Sequence, residues 1–123
     1  GKTDGKVTQG LVEYVDLYPT FTELAGLEIP EHVAGKSLVP LIKDPGMKWD
    51  EPVYSRYVLG NSVITEDLIY TEFMRSRNDC TTVSNMLYDH RIDPGENMNI
   101  VNDENYAEDV ASLSKLIESV HLK

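Results

Sequence analysis

One apolar stripe near the end of the chain places the strongest limit on the fold. Its members recur at spacings of four, three, four and three residues: Tyr106, Val110, Leu113, Ile117 and Val120. That spacing puts them on one side of an α-helix, so the sequence predicts an amphipathic helix over residues 103–121. Asn102 or Asp103 can cap its start. We expect the stripe to cover one face of a β-sheet.

The sheet is predicted by segments in which β-branched and aromatic residues are frequent. These segments are residues 52–59, 61–65, 68–74 and 84–88. The short polar link Glu66-Asp67 favours a hairpin. Residues 75–82 are polar and charged, and we expect an exposed loop there. The predicted fold class is therefore α+β, with a small antiparallel sheet of about four strands packed by a long C-terminal helix.

The stretch from Met86 to Asp103 is predicted to join the last strand to the last helix. The strand ends at Tyr88, and Asp93-Pro94-Gly95 favours a turn before the capped entry into the helix. This stretch should therefore act as the joint of the C-terminal half.

The first third of the chain is predicted to be helical. A helix is expected over residues 16–25, with Asp16 as its N-cap and Leu17, Phe21 and Leu24 on one face. Gly26 should end it.

A second, short helical turn is expected over residues 38–42, where Ser37 can act as the cap. The strongest linker signal follows at Asp44-Pro45-Gly46. We therefore predict two parts, residues 1–47 and residues 48–123.

Composition limits the function. The chain has 123 residues, 41% of them hydrophobic, and a formal net charge of −10. Such an acidic balance argues against nucleic acid and anionic membranes as partners. No window reaches the roughly 20 apolar residues that a membrane helix needs. The single cysteine excludes an internal disulfide framework.

No residue pattern by itself predicts an active site. Cys80 lacks an activating base nearby and is expected to be a surface or half-buried thiol without a catalytic role. His32, His90 and His121 are too far apart in the sequence to form a metal-binding pair. An acidic and amide-rich cluster invites a calcium hypothesis, but turn formation explains it better, because it fails the EF-hand spacing. Its members are Asp89, Asp93, Glu96, Asn97 and Asn99.

Several segments together resemble the C-terminal end of sulfatases. The members of this family are alkaline-phosphatase-like hydrolases of sulfate esters. The similarity is greatest to iduronate-2-sulfatase-like members. The segments that carry it, in the family's order, are residues 11–20, 23–27, 35–41, 53–57, 70–73 and 87–99. Among these, the sequence Leu-Tyr-Asp-His of residues 87–90 is similar to the family's closing signature.

The resemblance implies that residues 1–47 are the tail of a larger α/β catalytic domain and residues 48–123 the C-terminal sulfatase subdomain. It also implies a formylglycine, made within a Cys-x-Pro-x-Arg motif, and a calcium ion, both upstream of this segment. Cys80 does not supply that motif, because Thr82 and Ser84 replace its proline and arginine. No catalytic or metal residue is expected here.

The sequence therefore predicts a sulfatase segment that completes the fold and borders the substrate cleft, the substrate being a sulfated glycan or another sulfate ester. Its expected partner is the remainder of the catalytic domain, in a periplasmic, secreted or lysosomal enzyme. Arg56 and Tyr57 are the residues predicted to lie near substrate. The segment 63–70 lacks the arginines common there in relatives, which argues against anion contacts in that hairpin. The alternative is a non-catalytic protein-interaction module.

Overall fold

The computed structural model describes residues 5–121, with the backbone alone for His121. It divides into two compact units between Glu51 and Pro52. That division lies a few residues after the linker signal at Asp44-Pro45-Gly46.

The first unit contains two helices. A 3₁₀ turn at Tyr14–Asp16 leads into helix α1, Leu17–Leu24, and helix α2 spans Val39–Lys43. The helix predicted over residues 16–25 is confirmed. Asp16 occupies the N-cap position of α1, as predicted, but its side chain makes no capping hydrogen bond to that helix. Its carboxylate instead accepts a hydrogen bond from the N–H of Glu13, as part of a capping box around the 3₁₀ turn.

Asp16 and Thr20 instead attach the segment before α2 to α1. The buried Asp16 carboxylate accepts hydrogen bonds from the N–H groups of Glu13 and Lys36, both at 2.8 Å. The Thr20 hydroxyl accepts one from the N–H of Leu38, also at 2.8 Å. Gly35 allows the close approach, because a Cβ atom there would lie 2.2 Å from the Val15 carbonyl oxygen.

The predicted cap of α2 lies one position away from where it was expected. Leu38 occupies the N-cap position, although the Ser37 hydroxyl does accept a hydrogen bond from the N–H of Val39 at 3.2 Å. Val39 and Leu41 are buried, so the short helix packs through its apolar side.

The second unit is a four-stranded antiparallel sheet covered by a helix. The strands lie in the order β1-β2-β3-β4, which is also their order in the chain. Their bounds are Val53–Tyr57 for β1, Gly60–Ile64 for β2, Leu68–Ser76 for β3 and Asp79–Asp89 for β4. The four predicted strands and the hairpin at Glu66-Asp67 are confirmed.

The predicted loop over residues 75–82 is wrong. Strands β3 and β4 continue through it and leave only Arg77-Asn78 as the turn, with Met74 paired to Thr82 and Ser76 to Asp79. Backbone pairing needs no apolar side chains, so a polar segment can extend a hairpin whose ladder is already formed. The register shifts after Phe73 and after Met74 show that this extension is irregular.

Helix α3, Ala107–His121, covers one face of the sheet, as predicted. It begins after a 3₁₀ turn at Glu104–Tyr106, where the Asp103 side chain accepts a hydrogen bond from the N–H of Asn105. Leu113 and Ile117 of the helix pack into the core. The sheet contributes Val63, Leu68, Tyr70 and Leu87. Within residues 5–121, no helix has both the length and the apolar character needed to cross a membrane.

Candidate functional site

A groove opens in the second unit between strands β1 and β2 and the last turns of α3. Its volume is about 200 Å³. The residues that line it are Tyr54, Ser55, Arg56, Asn61, Ser62, Ile117 and Val120. Apolar side chains of the helix therefore face polar groups of the strands.

Arg56 and Asn61 are directly opposite each other in the β1–β2 ladder. Cross-strand partners point to the same face of a sheet, with Cβ atoms about 4.5–5.5 Å apart. Tyr54 and Val63, two residues away on each strand, point to this face as well, and Val63 belongs to the core under α3. Arg56 and Asn61 thus lie on the same face of the sheet as the core residues under α3.

Asn61 carries an unsatisfied hydrogen-bond acceptor. The residue is 5% exposed, and its Oδ1 atom has no hydrogen-bond partner in the described part of the chain. The sequence patterns did not indicate a functional role for Asn61. The available signal was its residue type, because asparagine is depleted in strands and its presence in one calls for a reason.

The other cross-strand neighbour of Asn61 is Glu72, whose carboxylate is already engaged. It accepts hydrogen bonds from the hydroxyls of Tyr70 at 2.9 Å, Ser114 at 2.7 Å and Thr82 at 3.2 Å. Burial, with a smaller contribution from Glu72, raises the pKa of the Tyr70 phenol, so that hydroxyl stays a donor near neutral pH. This network links β3, β4 and α3 beside Asn61.

Tyr57 does not share the groove with Arg56. It is the next residue on β1, so its side chain points to the opposite face of the sheet, and it is 82% exposed. The two residues predicted to lie near substrate are therefore both at the accessible end of an edge strand, but on different faces.

The acidic cluster of the joint is a set of turn and clamp interactions. The buried Asp89 carboxylate binds the Arg91 guanidinium through two bonds, at 2.9 and 2.6 Å, and accepts a third from the Tyr106 hydroxyl at 2.9 Å. The bonds from Arg91 hold the pKa of Asp89 well below its usual range, despite its burial. Asp89 thereby ties the end of β4 to the start of α3.

Asp93 closes the turn that follows. Its carboxylate accepts hydrogen bonds from the side chain and the N–H of Asn97 and from the N–H of Met98, and the side-chain bond contributes most to lowering its pKa. Asn99 then accepts a hydrogen bond from the N–H of Leu87 at 3.0 Å. The prediction of turn formation is confirmed for this cluster.

The other sequence candidates remain separate. Cys80 is an exposed free thiol, His32 is exposed in a turn, and His90 contacts Glu96 at 3.0 Å. The side chain of His121 lies outside the described residues. In the part of the chain that the structure describes, no group of three or more His, Cys, Asp or Glu side chains could hold a metal ion.

The first unit has an exposed apolar stripe along α1, which we call the α1 face. Its members follow helical spacing: Tyr14, Leu17, Tyr18, Phe21 and Leu24. All are exposed, and Phe21 is 64% exposed. The opposite side of the helix, with Pro19 and Thr20, is the buried one. The predicted grouping of Leu17, Phe21 and Leu24 is thus real, but the described structure leaves that face uncovered.

A family model described as "N-sulphoglucosamine sulphohydrolase, C-terminal" matches residues 2–123. The chain belongs to this family of sulfatase C-terminal segments. Arylsulfatase K of Xenopus laevis is 30% identical over 128 residues, covering 94% of this chain and 23% of the relative. The Delta 4,5-hexuronate-2-O-sulfatase of Bacteroides thetaiotaomicron is 29% identical over 113 residues, covering 85% and 22%.

A solved structure extends the similarity of this sulfatase segment to the fold. A protein whose structure was solved in complex with its substrate, D-glucosamine-2-N,6-O-disulfate, shows 27% identity and a TM-score of 0.67 over 85% of this chain and 23% of that one. The hexuronate relative agrees with the resemblance to iduronate-2-sulfatase-like members. The chain spans about a quarter of the length of the proteins it matches.

Proposed function

We propose that this chain is the C-terminal segment of a sulfatase that hydrolyses sulfate esters of a glycan. The observation that carries the proposal is the family match over residues 2–123. Relatives named for hexuronate 2-O-sulfate and N-acetylglucosamine 6-O-sulfate, and a structure solved with glucosamine disulfate, support a sulfated sugar as the substrate class. Export to the periplasm or the cell exterior, or delivery to the lysosome, goes with this proposal.

In this proposal the segment completes the fold and supplies no catalytic residue. The formylglycine and calcium that support sulfate-ester cleavage belong to the catalytic portion, and residues 1–47 are the tail of that portion. The α1 face supports this division of labour, because contiguous exposed apolar surface marks an interaction site. A catalytic domain packed on the α1 face would bury it.

The first experiment compares the 123-residue chain with the longer protein proposed to carry it. Hydrolysis of 4-nitrophenyl sulfate and of glucosamine 6-sulfate is measured with and without added calcium. We expect turnover by the longer protein and none by the chain. Turnover by the chain alone would refute the inactive segment, and no turnover of any sulfate ester by the longer protein would refute the sulfatase.

Arg56 and Tyr57 are proposed to border the substrate cleft, because both are accessible at the end of an edge strand. Arg56→Ala in the longer protein should raise KM by up to about tenfold with little change in kcat, which corresponds to one solvent-screened, charge-assisted contact. Arg77→Ala, an equal charge change at the exposed β3–β4 turn, is the matched control. Equal KM values for wild type and Arg56→Ala would remove this role.

A stand-alone interaction module is the alternative, and the α1 face distinguishes the two. A module should be a monomer with a cooperative thermal transition and little binding of an apolar dye. The severed segment should bind the dye and self-associate, because Phe21 and its neighbours lack a cover.

A further inference from the structure

We propose that the groove between β1, β2 and α3 is a subsite for one sulfated sugar unit. Arg56 binds the sulfate, and the Oδ1 atom of Asn61 accepts a hydrogen bond from a hydroxyl or amine on the same ring. The choice of a sulfated sugar rests on the proposed function. The two-point site itself rests on the geometry of these residues.

The first support is the unsatisfied acceptor on Asn61. Buried polar atoms in folded proteins almost always have a partner, and an exception calls for an explanation. Asn61 is 95% buried, its Oδ1 atom has none within the described residues, and it lines the groove. An acceptor placed in this way is complemented by a ligand that brings an O–H or N–H donor.

The second support is Arg56, the cross-strand partner of Asn61. Among residues 5–121, the ion pairs engage other cations and leave this guanidinium without a carboxylate. A guanidinium matches the oxygen atoms of a sulfate through two parallel hydrogen bonds.

The third support is the size and character of the space. Its volume of about 200 Å³ lies below the roughly 300–1,000 Å³ of pockets for drug-sized ligands, so it suits one ring better than an oligosaccharide. Ile117 and Val120 give one wall an apolar surface against which the C–H groups of a sugar ring can pack. The polar groups of β1 and β2 form the other wall.

The test is to titrate the 123-residue chain with each of three probes and to measure binding by NMR of the backbone amides and by calorimetry. The probes are glucosamine 6-sulfate, glucosamine and inorganic sulfate. We expect the sulfated sugar to bind at least about tenfold more tightly than either component, since each lacks one of the two contacts. Amide shifts should centre on residues 54–56, 61–62 and 117–120. Shifts elsewhere, or equal affinities for the sulfated sugar and inorganic sulfate, would overturn the proposal.

Asn61→Leu separates binding from a structural role. The two side chains have similar shapes, so the variant should lose about tenfold in affinity yet melt at a higher temperature, because a buried unsatisfied acceptor is removed. Asn85→Leu is the matched control: Asn85 lies in the same cross-strand row and face, but donates to the Tyr70 hydroxyl outside the groove. It should melt lower and bind normally.

The outcomes also separate this proposal from the proposed function. Unchanged affinity in Asn61→Leu, or a solved structure with only an ordered water on Asn61, would overturn the subsite while sulfatase activity of the longer protein stood. If the longer protein hydrolysed no sulfate ester, the proposed function would be refuted, but the measured binding of the three probes to the chain would still test the subsite. In the longer protein, Asn61→Leu should raise KM for glucosamine 6-sulfate by a larger factor than KM for 4-nitrophenyl sulfate, which lacks the hydroxyl and amine donors of the sugar ring.

Discussion

Leu87→Ala tests the packing that holds the second unit together. Leu87 is 0% exposed and lies in the core with Val63, Tyr70, Leu113 and Ile117. The change removes three carbon atoms, worth about 2.4 kcal/mol of transfer free energy at about 0.8 kcal/mol each. The cavity left behind adds a further cost, because only partial relaxation follows such a truncation.

Relaxation should be small at this site. The backbone of Leu87 is held on both sides, since its N–H donates to Asn99 and its carbonyl accepts from the N–H of Ile100, each at 3.0 Å. The strand also pairs with β3 through Tyr70. We therefore expect a total loss of about 3–4 kcal/mol in the free energy of unfolding, within the usual range for a buried leucine.

The assay is urea unfolding followed by far-UV circular dichroism, because the single tryptophan, Trp49, belongs to the first unit. Val83→Ala, on the same strand at a position 54% exposed, is the control and should change the unfolding free energy by less than about 0.5 kcal/mol. A loss below about 1 kcal/mol for Leu87→Ala would show that α3 and the sheet do not form a tightly packed core.

Two further predictions concern hydrogen bonds and charge. Thr20→Val should lower the free energy of unfolding by about 1–3 kcal/mol, because it leaves the N–H of Leu38 without its acceptor. Thr20→Ser keeps the hydroxyl and should retain most of the stability. Equal stabilities of the two variants would contradict this prediction. The bonds from Arg91 lower the pKa of Asp89 in the folded protein. The ionised Asp89 therefore contributes fully to the free energy of unfolding above the ordinary carboxyl pKa of about 4, and this contribution is lost as the pH falls toward the lowered pKa. The urea midpoint should therefore fall more between pH 5 and about pH 2 for wild type than for Asp89→Asn, and parallel pH profiles would refute the assignment.

Local patterns were sufficient to predict most of the elements. The stripe from Tyr106 to Val120 predicted α3 because helical periodicity is a property of neighbouring residues. The strands and the Glu66-Asp67 hairpin followed in the same way from β-branched and aromatic residues with a short polar link. The turn at Asp93-Pro94-Gly95 depended only on side chains within a few positions of each other.

The differences from the predictions arose where distant residues decide the outcome. Asp16 lies at the N-cap position, but the N–H of Lys36, which lies 20 residues later, takes one of its carboxylate oxygens. Residues 75–82 look like a loop, but the β3–β4 ladder continues through them. Asn61 gave no sign of burial, because its environment depends on the register of β1 against β2 and on the position of α3.

The sequence by itself determined the α+β class, the helix that covers the sheet and the membership in a sulfatase family. These depend on short-range periodicity and on ordered motifs, which can be read without three-dimensional contacts. Only the tertiary structure decided that the α1 face is exposed and that Arg56 and Asn61 share a groove with α3. The residues that line a groove depend on which segments of strand and helix lie opposite each other, and the pattern within one element does not specify its neighbour in the fold.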